Sequence, residues 1–506
     1  MAVHSAGTGQ GQRASKASYS PEKSGISRMD VTSNKDEGKT VSLVNGTMRF
    51  LYYESILQDS VRAVVSYSDS GETMEKETSG KTSAIEGLPI VGQENVKIVV
   101  NDNYGNALDA TLYVNKVTPL MEDTTKSVVQ LDLASKEYIL NEKVRINKRF
   151  NGKIDEHIKS LLTSLKDDVG EEKFLGTQKE LDIEPTSNSQ NYIGNNKKPF
   201  YIINWLSRGA VPGGQSNPAA KKNSAGFLFF ETGSTKPKDG EASPAKFHFK
   251  SIDGLMNTEV NKPKKKVIYN ESTGGPDGME GAPVGYDVKA LTYTVDNKVN
   301  VKEKLKMGAY STRLIMFNPY NCQYSVVTPN AGNTQHTGEA NNAGDQSNLK
   351  LAGTELPALN KEFNMTVPGK EFSRTTWYVE DPGTLPDGKG VGLEQQEGTG
   401  QVAKSKTPNY KPAEVLNQGI MRLNQLFALQ TTITIPGDFT LHAGDAIYVD
   451  APQPSRPTES GKSDLPDKQT GGNYIISDLC HYMSPDHTLT KLKLVRDSFG
   501  RKPMER

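Results

Sequence analysis

Leu88-Pro89-Ile90-Val91-Gly92-Gln93-Glu94, followed by alternating Val96, Ile98 and Val100, then Tyr113-Val114 with Val117, then Leu131 and Leu133, sets out a plan that returns late in the chain. The later copy reads Ile435-Pro436-Gly437-Asp438, then Gly444-Asp445 with Ile447 and Val449, then Tyr474-Ile475-Ile476 with Leu479, and finally Leu492 and Leu494. Alternation at period two predicts strands with one buried face, and the glycines and Pro-Gly mark the turns between them. The simplest reading is two small, similar β-barrels in a mainly β chain. Three such chains, closing in a circle, place six barrels in a pseudo-sixfold ring.

Bulk properties set limits around that plan. The 506 residues leave room for several domains, each with its own core. Lys plus Arg equals Asp plus Glu at 60 each, so no net field draws the chain to nucleic acid or an anionic membrane, and specific nucleic-acid binding is not expected. Forty-six glycines and 27 prolines signal much turn and loop, so burial is expected to be completed against partners. Cys322 and Cys480 are too few for a disulfide framework, which points to synthesis in a reducing cytoplasm. No run reaches the length of a membrane helix, and the N-terminus lacks the apolar centre of a signal peptide.

Along the chain, residues 1–40 are rich in Ser, Gly, Lys and Gln and read as a flexible N-terminal arm. Residues 41–150 carry the first barrel, from Arg49-Phe50-Leu51-Tyr52-Tyr53-Glu54-Ser55-Ile56 to Val144-Arg145-Ile146. Residues 151–280 read as a small α+β domain. In it, Ile154, Ile158, Leu161, Leu162 and Leu165 share one helix face stopped by Gly170. A second helix opens at Pro199, carries Ile202, Ile203 and Leu206, and ends at Gly209 and Pro212. Two strands follow, Gly226 to Phe230 and Phe247 to Phe249. Segments 281–326 and 431–506 form the second, discontinuous barrel, the former containing Tyr310 to Phe317 as a long strand. Between them, 327–430 reads as a loop-rich insertion that ends in a helix bearing Leu416, Ile420, Leu423 and Phe427.

Catalytic chemistry finds no anchor. The histidines, at 4, 157, 248, 336, 442, 481 and 487, lack metal-ligand spacing, and there is neither a nucleophile elbow nor a phosphate loop, so no catalytic, cofactor or metal residue is assigned. His481 and His487 flank a turn at Ser484-Pro485-Asp486 and read as exposed polar side chains. Lys262, Lys264, Lys265 and Lys266 read as a solvated loop, Trp205 as core beside Ile202 and Leu206, and Phe227 to Phe230 as a buried strand or an interface.

At this point a family resemblance emerges. Tyr53-Glu54-Ser55-Ile56, Leu88-Pro89-Ile90 with Gly92 and Glu94, Val144-Arg145-Ile146-Asn147-Lys148-Arg149-Phe150, Gly226 to Thr232 and Phe249-Lys250-Ser251-Ile252-Asp253, in that order, resemble the central baseplate hub proteins of contractile-tailed (T-even-type myovirus) bacteriophages. Gly472 to Ile476 and Leu492 to Ser498 are similar to that family's second barrel. The resemblance covers about 45–326 and 412–500; the N-terminal arm and the 327–410 stretch depart from it. It implies two tail-tube-like barrels and a homotrimeric ring that adapts the sixfold tail tube to the threefold spike, with no catalytic residue or cofactor. It also implies partners: the tail-tube protein ring, the trimeric spike protein, baseplate wedge proteins, and tape-measure protein and DNA in transit through the channel. The implied location is the virion baseplate, after synthesis in the host cytoplasm. Two alternatives stand beside it. One is a tail-associated cell-wall hydrolase with its site in 327–410, using a carboxylate such as Glu380; the other is a secreted carbohydrate-binding β protein, which the missing signal peptide disfavours.

Overall fold

The computed structural model describes residues 25–496, apart from 36–37, 72–73, 76–80, 103, 124–125, 164–173, 214–224, 258–259, 270–285, 298–300, 309–311, 320–321, 328–373, 382–408, 411, 428 and 452–470. The mainly β architecture expected from the alternating runs is what forms. The first strand set comprises β1 (Gly25–Thr32), β2 (Thr40–Ser42), β3 (Thr47–Ser55), β4 (Arg62–Asp69), β7 (Asn95–Asn101), β8 (Ala107–Glu122) and β9 (Ser127–Ala134). The hairpin β5 (Met74–Glu75) and β6 (Lys81–Thr82) and the helical turn α1 (Ala84–Gly87) lie between β4 and β7, and helix α2 (Lys136–Lys143) follows β9. The order in the sheet is β3-β4-β9-β8-β7-β1-β2. Val96, Ile98 and Val100 are fully buried, as the period-two pattern requires.

The second set comprises β16 (Lys266–Ile268), β17 (Val288–Lys289), β18 (Thr292–Asn297), β22 (Leu429–Pro436), β23 (Ala446–Asp450), β24 (Gly472–Met483) and β25 (Thr488–Arg496). Its order, β18-β22-β25-β24-β23-β16, repeats that of the first set, except that β16 joins β23 in parallel where β1 joins β7 antiparallel. The registers repeat too. Val117 faces Leu131 and Lys116 faces Asp132 in the first set; Leu479 faces Leu492 and Asp478 faces Lys493 in the second. A β-bulge falls at the same place in each, between Val114 and Lys116 and between Ile476 and Asp478. The turns before β7 and β23 match as well. Gln93 N–H donates to Val114 O and Val114 N–H to Glu94 O, while Gly444 N–H donates to Ile476 O and Ile476 N–H to Asp445 O. Gln93 (φ 70°) and Gly444 (φ 86°) occupy the left-handed region at equivalent positions. Coincidence of strand order, bulge and turn is an internal duplication of structure.

The two sets share one ladder because β24 has two neighbours along one edge. Its first half pairs with β23, and beyond the bulge its second half pairs with β3, from Asp478 opposite Ser55 to Met483 opposite Phe50. One apolar core accordingly runs from Met29 and Val31 through Phe50, Val96 and Leu131 to Ile433, Tyr474 and Leu494.

Four boundaries differ from the sequence reading. Residues 25–32, read as part of the arm, form β1 on β7, with Met29 and Val31 fully buried; two alternate apolar residues suffice once a partner edge exists. Residues 1–24 lie outside the described residues. β16, assigned to the α+β domain, instead pairs in parallel with β23 of the second set. Of 281–326, only β17 and β18 join the large sheet. β19 (Thr312–Asn318) and β20 (Gln323–Val327) form a separate sheet with β21 (Arg374–Val379), a strand supplied from within the insertion; the rest of 327–410 is outside the described residues save 380–381 and 409–410. Helix α6 (Val301–Met307) precedes β19.

The α+β domain has the sheet β11 (Glu180–Ile183), β15 (Lys246–Ser251) and β13 (Phe227–Thr232), with the antiparallel pair β10 (Arg149–Phe150) and β12 (Tyr192–Ile193) and helices α3 (Ile154–Leu162), α4 (Pro199–Ser207) and α5 (Ile252–Met256) around it. Ile154, Ile158, Leu161 and Leu162 are buried as the spacing predicts, and Pro199 begins α4, where its missing N–H costs no helix bond. Leu165 and Gly170 lie outside the described residues. All six residues of β13 are buried, and Trp205 packs edge-on to Tyr192, so both are core. The strand β14 (Thr235–Lys236) adds to β8 and ties this domain to the first set.

Helix α7 (Pro412–Leu426) buries more than its expected face, of which Leu416, Leu423 and Phe427 pack against the neighbouring cores. Leu416, Ile420, Leu423 and Phe427 are only half-buried, while Val415, Gln418, Arg422 and Leu426 face inward. Two polar groups turn inward because each meets a partner. Gln418 Oε1 accepts from Ala225 N–H at 2.8 Å, and Arg422 pairs with Asp253 at 2.6 Å.

Candidate functional site

Phe50, Tyr52 and Glu54 alternate along β3, so the strand that brings two aromatic rings into the core also brings in a carboxylate. Glu54 is fully buried where β3 meets β24. Its Oε1 accepts from Tyr52 O–H at 3.0 Å and Gly233 N–H at 2.7 Å, and its Oε2 accepts from Ala443 N–H at 3.0 Å. His442 Nδ1 stands 3.1 Å from Oε1, and its Nε2 meets Thr235 Oγ1 at 2.7 Å. Burial by itself raises the pKa of Glu54, but the His442 charge and the Gly233 and Ala443 N–H donors outweigh it and hold the carboxyl at about 2. For His442, burial opposes protonation, and Glu54 overcomes it and lifts the imidazole above its ordinary value. The two form a buried ion pair. His481 stacks on Tyr52 at 5.9 Å and meets Phe439 edge-on at 4.8 Å; burial drives its pKa down to about 4, leaving it neutral.

A second buried cluster gathers around Glu231 of β13. Lys179 Nζ donates to Glu137 Oε2 at 2.5 Å and to Glu231 Oε1 at 2.6 Å, Thr177 O–H donates to Glu137 Oε1 at 2.7 Å, and Glu231 Oε2 accepts from Val61 N–H at 3.1 Å. Burial disfavours the Lys179 charge, yet the two carboxylates raise its pKa. Burial also raises Glu231, whereas Lys179 brings Glu137 down. Together the clusters join the first strand set (Glu54, Glu137, Val61), the α+β domain (Lys179, Glu231, Gly233, Thr235) and the second set (His442, Ala443). A third tie runs from the β7–β8 turn, where Asp102 Oδ2 accepts from Phe439 N–H at 3.0 Å. The arrangement fixes three bodies to each other, and every carboxylate in it is committed to a partner.

Gly233 is required by that closeness. A Cβ there would collide with the Tyr52 hydroxyl and reach 3.3 Å from Glu54 Oε1. Gly233→Ala is expected to lower stability by about 1–3 kcal/mol through overpacking, read as a fall in Tm, while Gly25→Ala, whose added Cβ would meet nothing within 4 Å, serves as the comparison.

The sequence reading of several residues is corrected here. His481 is 1% exposed, not a surface side chain, because the β3 pairing covers it; His487 does stay at the turn, where Ser484 N–H donates to His487 O at 3.0 Å. The lysine run is a charged strap rather than a free loop: Lys264 pairs with Asp445 at 2.8 Å, Lys265 with Asp438 at 3.1 Å, and Lys266 begins β16. Glu54 was missed as a site residue, although a carboxylate at an inward strand position was the available signal. His442 carried no local signal. Among the described residues, no group of three or more His, Cys, Asp or Glu could hold a metal. A cleft of about 520 Å³ beside the junction is lined by residues that include Tyr53, Arg62, Asp478, Lys491 and Lys493.

Fold and junction define an internally duplicated β scaffold with ionic ties between its domains. It is similar to a 43 kDa tail protein of prophage MuSo2 from Shewanella oneidensis, at 9% identity and a TM-score of 0.45 over 94% of this chain and 100% of that one. It is likewise similar to a tail protein from Neisseria meningitidis, at 9% identity and a TM-score of 0.45 over 94% and 98% of the two chains. A type VI secretion system component of E. coli is similar at 8% identity and a TM-score of 0.38, over 90% of this chain and 76% of that one. No protein-family model and no curated protein matches the sequence.

Proposed function

We propose that this chain is a structural hub of a contractile phage-tail baseplate, a homotrimer whose six strand sets form a pseudo-sixfold ring between the tail tube and the threefold spike. The observation that carries the reading is the repeat of one strand order, one bulge position and one turn geometry within a single chain. A duplicated unit turns a threefold assembly into one with six similar edges, which is the symmetry adaptation a tube-to-spike joint needs. The ordered motifs from Tyr53-Glu54-Ser55-Ile56 to Phe249-Lys250-Ser251-Ile252-Asp253 support it independently. In this reading the tube ring, the spike trimer and wedge proteins are its partners, tape-measure protein and DNA pass through its channel, and the task is one of shape, performed without catalysis.

Mass-resolved size exclusion of the purified chain, alone and mixed with the spike protein of the same particle, tests this. The expected result is a trimer, or a monomer that becomes a three-to-three complex with spike. A chain that stays monomeric with spike and with tube protein rules the ring out.

A further inference from the structure

Strands β8 and β24 are equivalent, yet their second halves are covered differently. In β24, Cys480, His481 and Tyr482 lie between β25 and β3, opposite Tyr53, Tyr52 and Leu51. In β8, Lys116–Glu122 pairs among the described residues with β9 alone. Leu120 and Met121 there stand 53% and 50% exposed, whereas Leu479, His481 and Met483 are buried. Among the described residues, the first set therefore ends in an open edge at the place where the second set receives β3.

The counterpart of β3 is β18. β3 pairs with β4 and β18 with β22, and β4 and β22 occupy the same position in the two orders, Arg62 opposite Ala134 and Gln430 opposite Val495. Through these partners Tyr53 corresponds to Asn297 and Tyr52 to Val295. β18 has no ladder partner other than β22 among the described residues. Among the described residues, one chain thus presents one uncovered acceptor edge and one uncovered donor strand, each the counterpart of an element already joined internally.

We infer that β18 of one chain adds antiparallel to the Lys116–Glu122 edge of β8 in a second copy, repeating the β24·β3 junction between subunits. Carrying the register over puts Thr118 opposite Asn297 of the partner subunit and Pro119 opposite Val295 of the partner subunit. An extra residue, Leu120, bulges from β8 between Pro119 and Met121, and Pro119 lacks an N–H, so the added pairing is short. Such features keep an edge from accepting arbitrary strands while a matched one still binds. The contact is heterologous, with different surfaces on its two sides, and repeated around an axis it closes a ring. This inference rests on the ring proposed above and specifies its subunit contact.

Paired cysteines test the register. With Cys322→Ser and Cys480→Ser in place, Thr118→Cys with Asn297→Cys is expected to give disulfide-linked dimers and trimers on a non-reducing gel. Tyr53→Cys with native Cys480 is the internal control, expected to close within one chain, since those side chains already touch. A protein of trimeric mass whose cysteine pair stays unlinked overturns the edge pairing and leaves the ring standing; a monomeric mass under all conditions overturns both. On the unsubstituted chain, amide exchange in 116–122 and 292–297 is expected to slow roughly tenfold or more upon assembly. Unchanged exchange in a confirmed trimer also overturns the pairing.

Discussion

Glu54→Gln is expected to destabilise the chain by about 3–5 kcal/mol near pH 6, because it strips the partner from a buried imidazolium while leaving the surrounding dipoles arranged for an anion. Glu54 has no exposed surface, and its bonds reach all three bodies, from Tyr52 to Gly233 to Ala443. The pH dependence has a definite sign. Glu54 is held at about 2 against an ordinary 4.5, so its contribution is complete above 4.5 and fades as pH falls toward 2. His442 is raised above an ordinary 6.5, so its contribution is complete below 6.5 and fades as pH rises through the elevated value. The pair is therefore strongest between about pH 4.5 and 6.5. Because several cores share the chain, the loss is best read as hydrogen exchange in β3 and β24 alongside Tm. A loss below about 1 kcal/mol at pH 6, or one that does not vary with pH, refutes the ionic junction.

Lys179→Met is the second large effect. It leaves Glu137 and Glu231, now 2.5 and 2.6 Å from one ammonium, facing each other in the interior without a cation. The expected cost is about 3–5 kcal/mol at pH 7, with part of it recovered at pH 5 as the carboxyls take up protons. The direction follows from Glu231, already raised by burial with Lys179 present and pushed further up without it. Adding Glu137→Gln and Glu231→Gln to the same variant is expected to restore most of the stability, since a neutral set replaces uncompensated charge. Urea midpoints at the two pH values measure both. If Lys179→Met unfolds at the wild-type midpoint, the cluster does not hold the domains together.

Where an element is set by its own neighbours, the sequence was a sufficient guide. Ile154, Ile158, Leu161 and Leu162 bury together because helix geometry places them on one face, and Pro199 opens α4 for a reason internal to proline. α7 shows the limit of such reading. Its apolar residues at 416, 423 and 427 do pack against the cores, but its most buried face also takes in Gln418 and Arg422, whose partners lie 193 and 169 residues away.

The sequence by itself determined which residues of the two strand sets point inward, since alternation at period two is a property of a single strand. It also determined that the plan occurs twice. Only the tertiary structure decided which edges meet. Ladder bonds join residues hundreds of positions apart, and nothing local in β3 names β24 as its neighbour or sets Lys116–Glu122 beside β9 alone among the described residues. Glu54 and His442, 388 residues apart, became an ion pair through that pairing, because burying both excluded the water that would otherwise separate their charges.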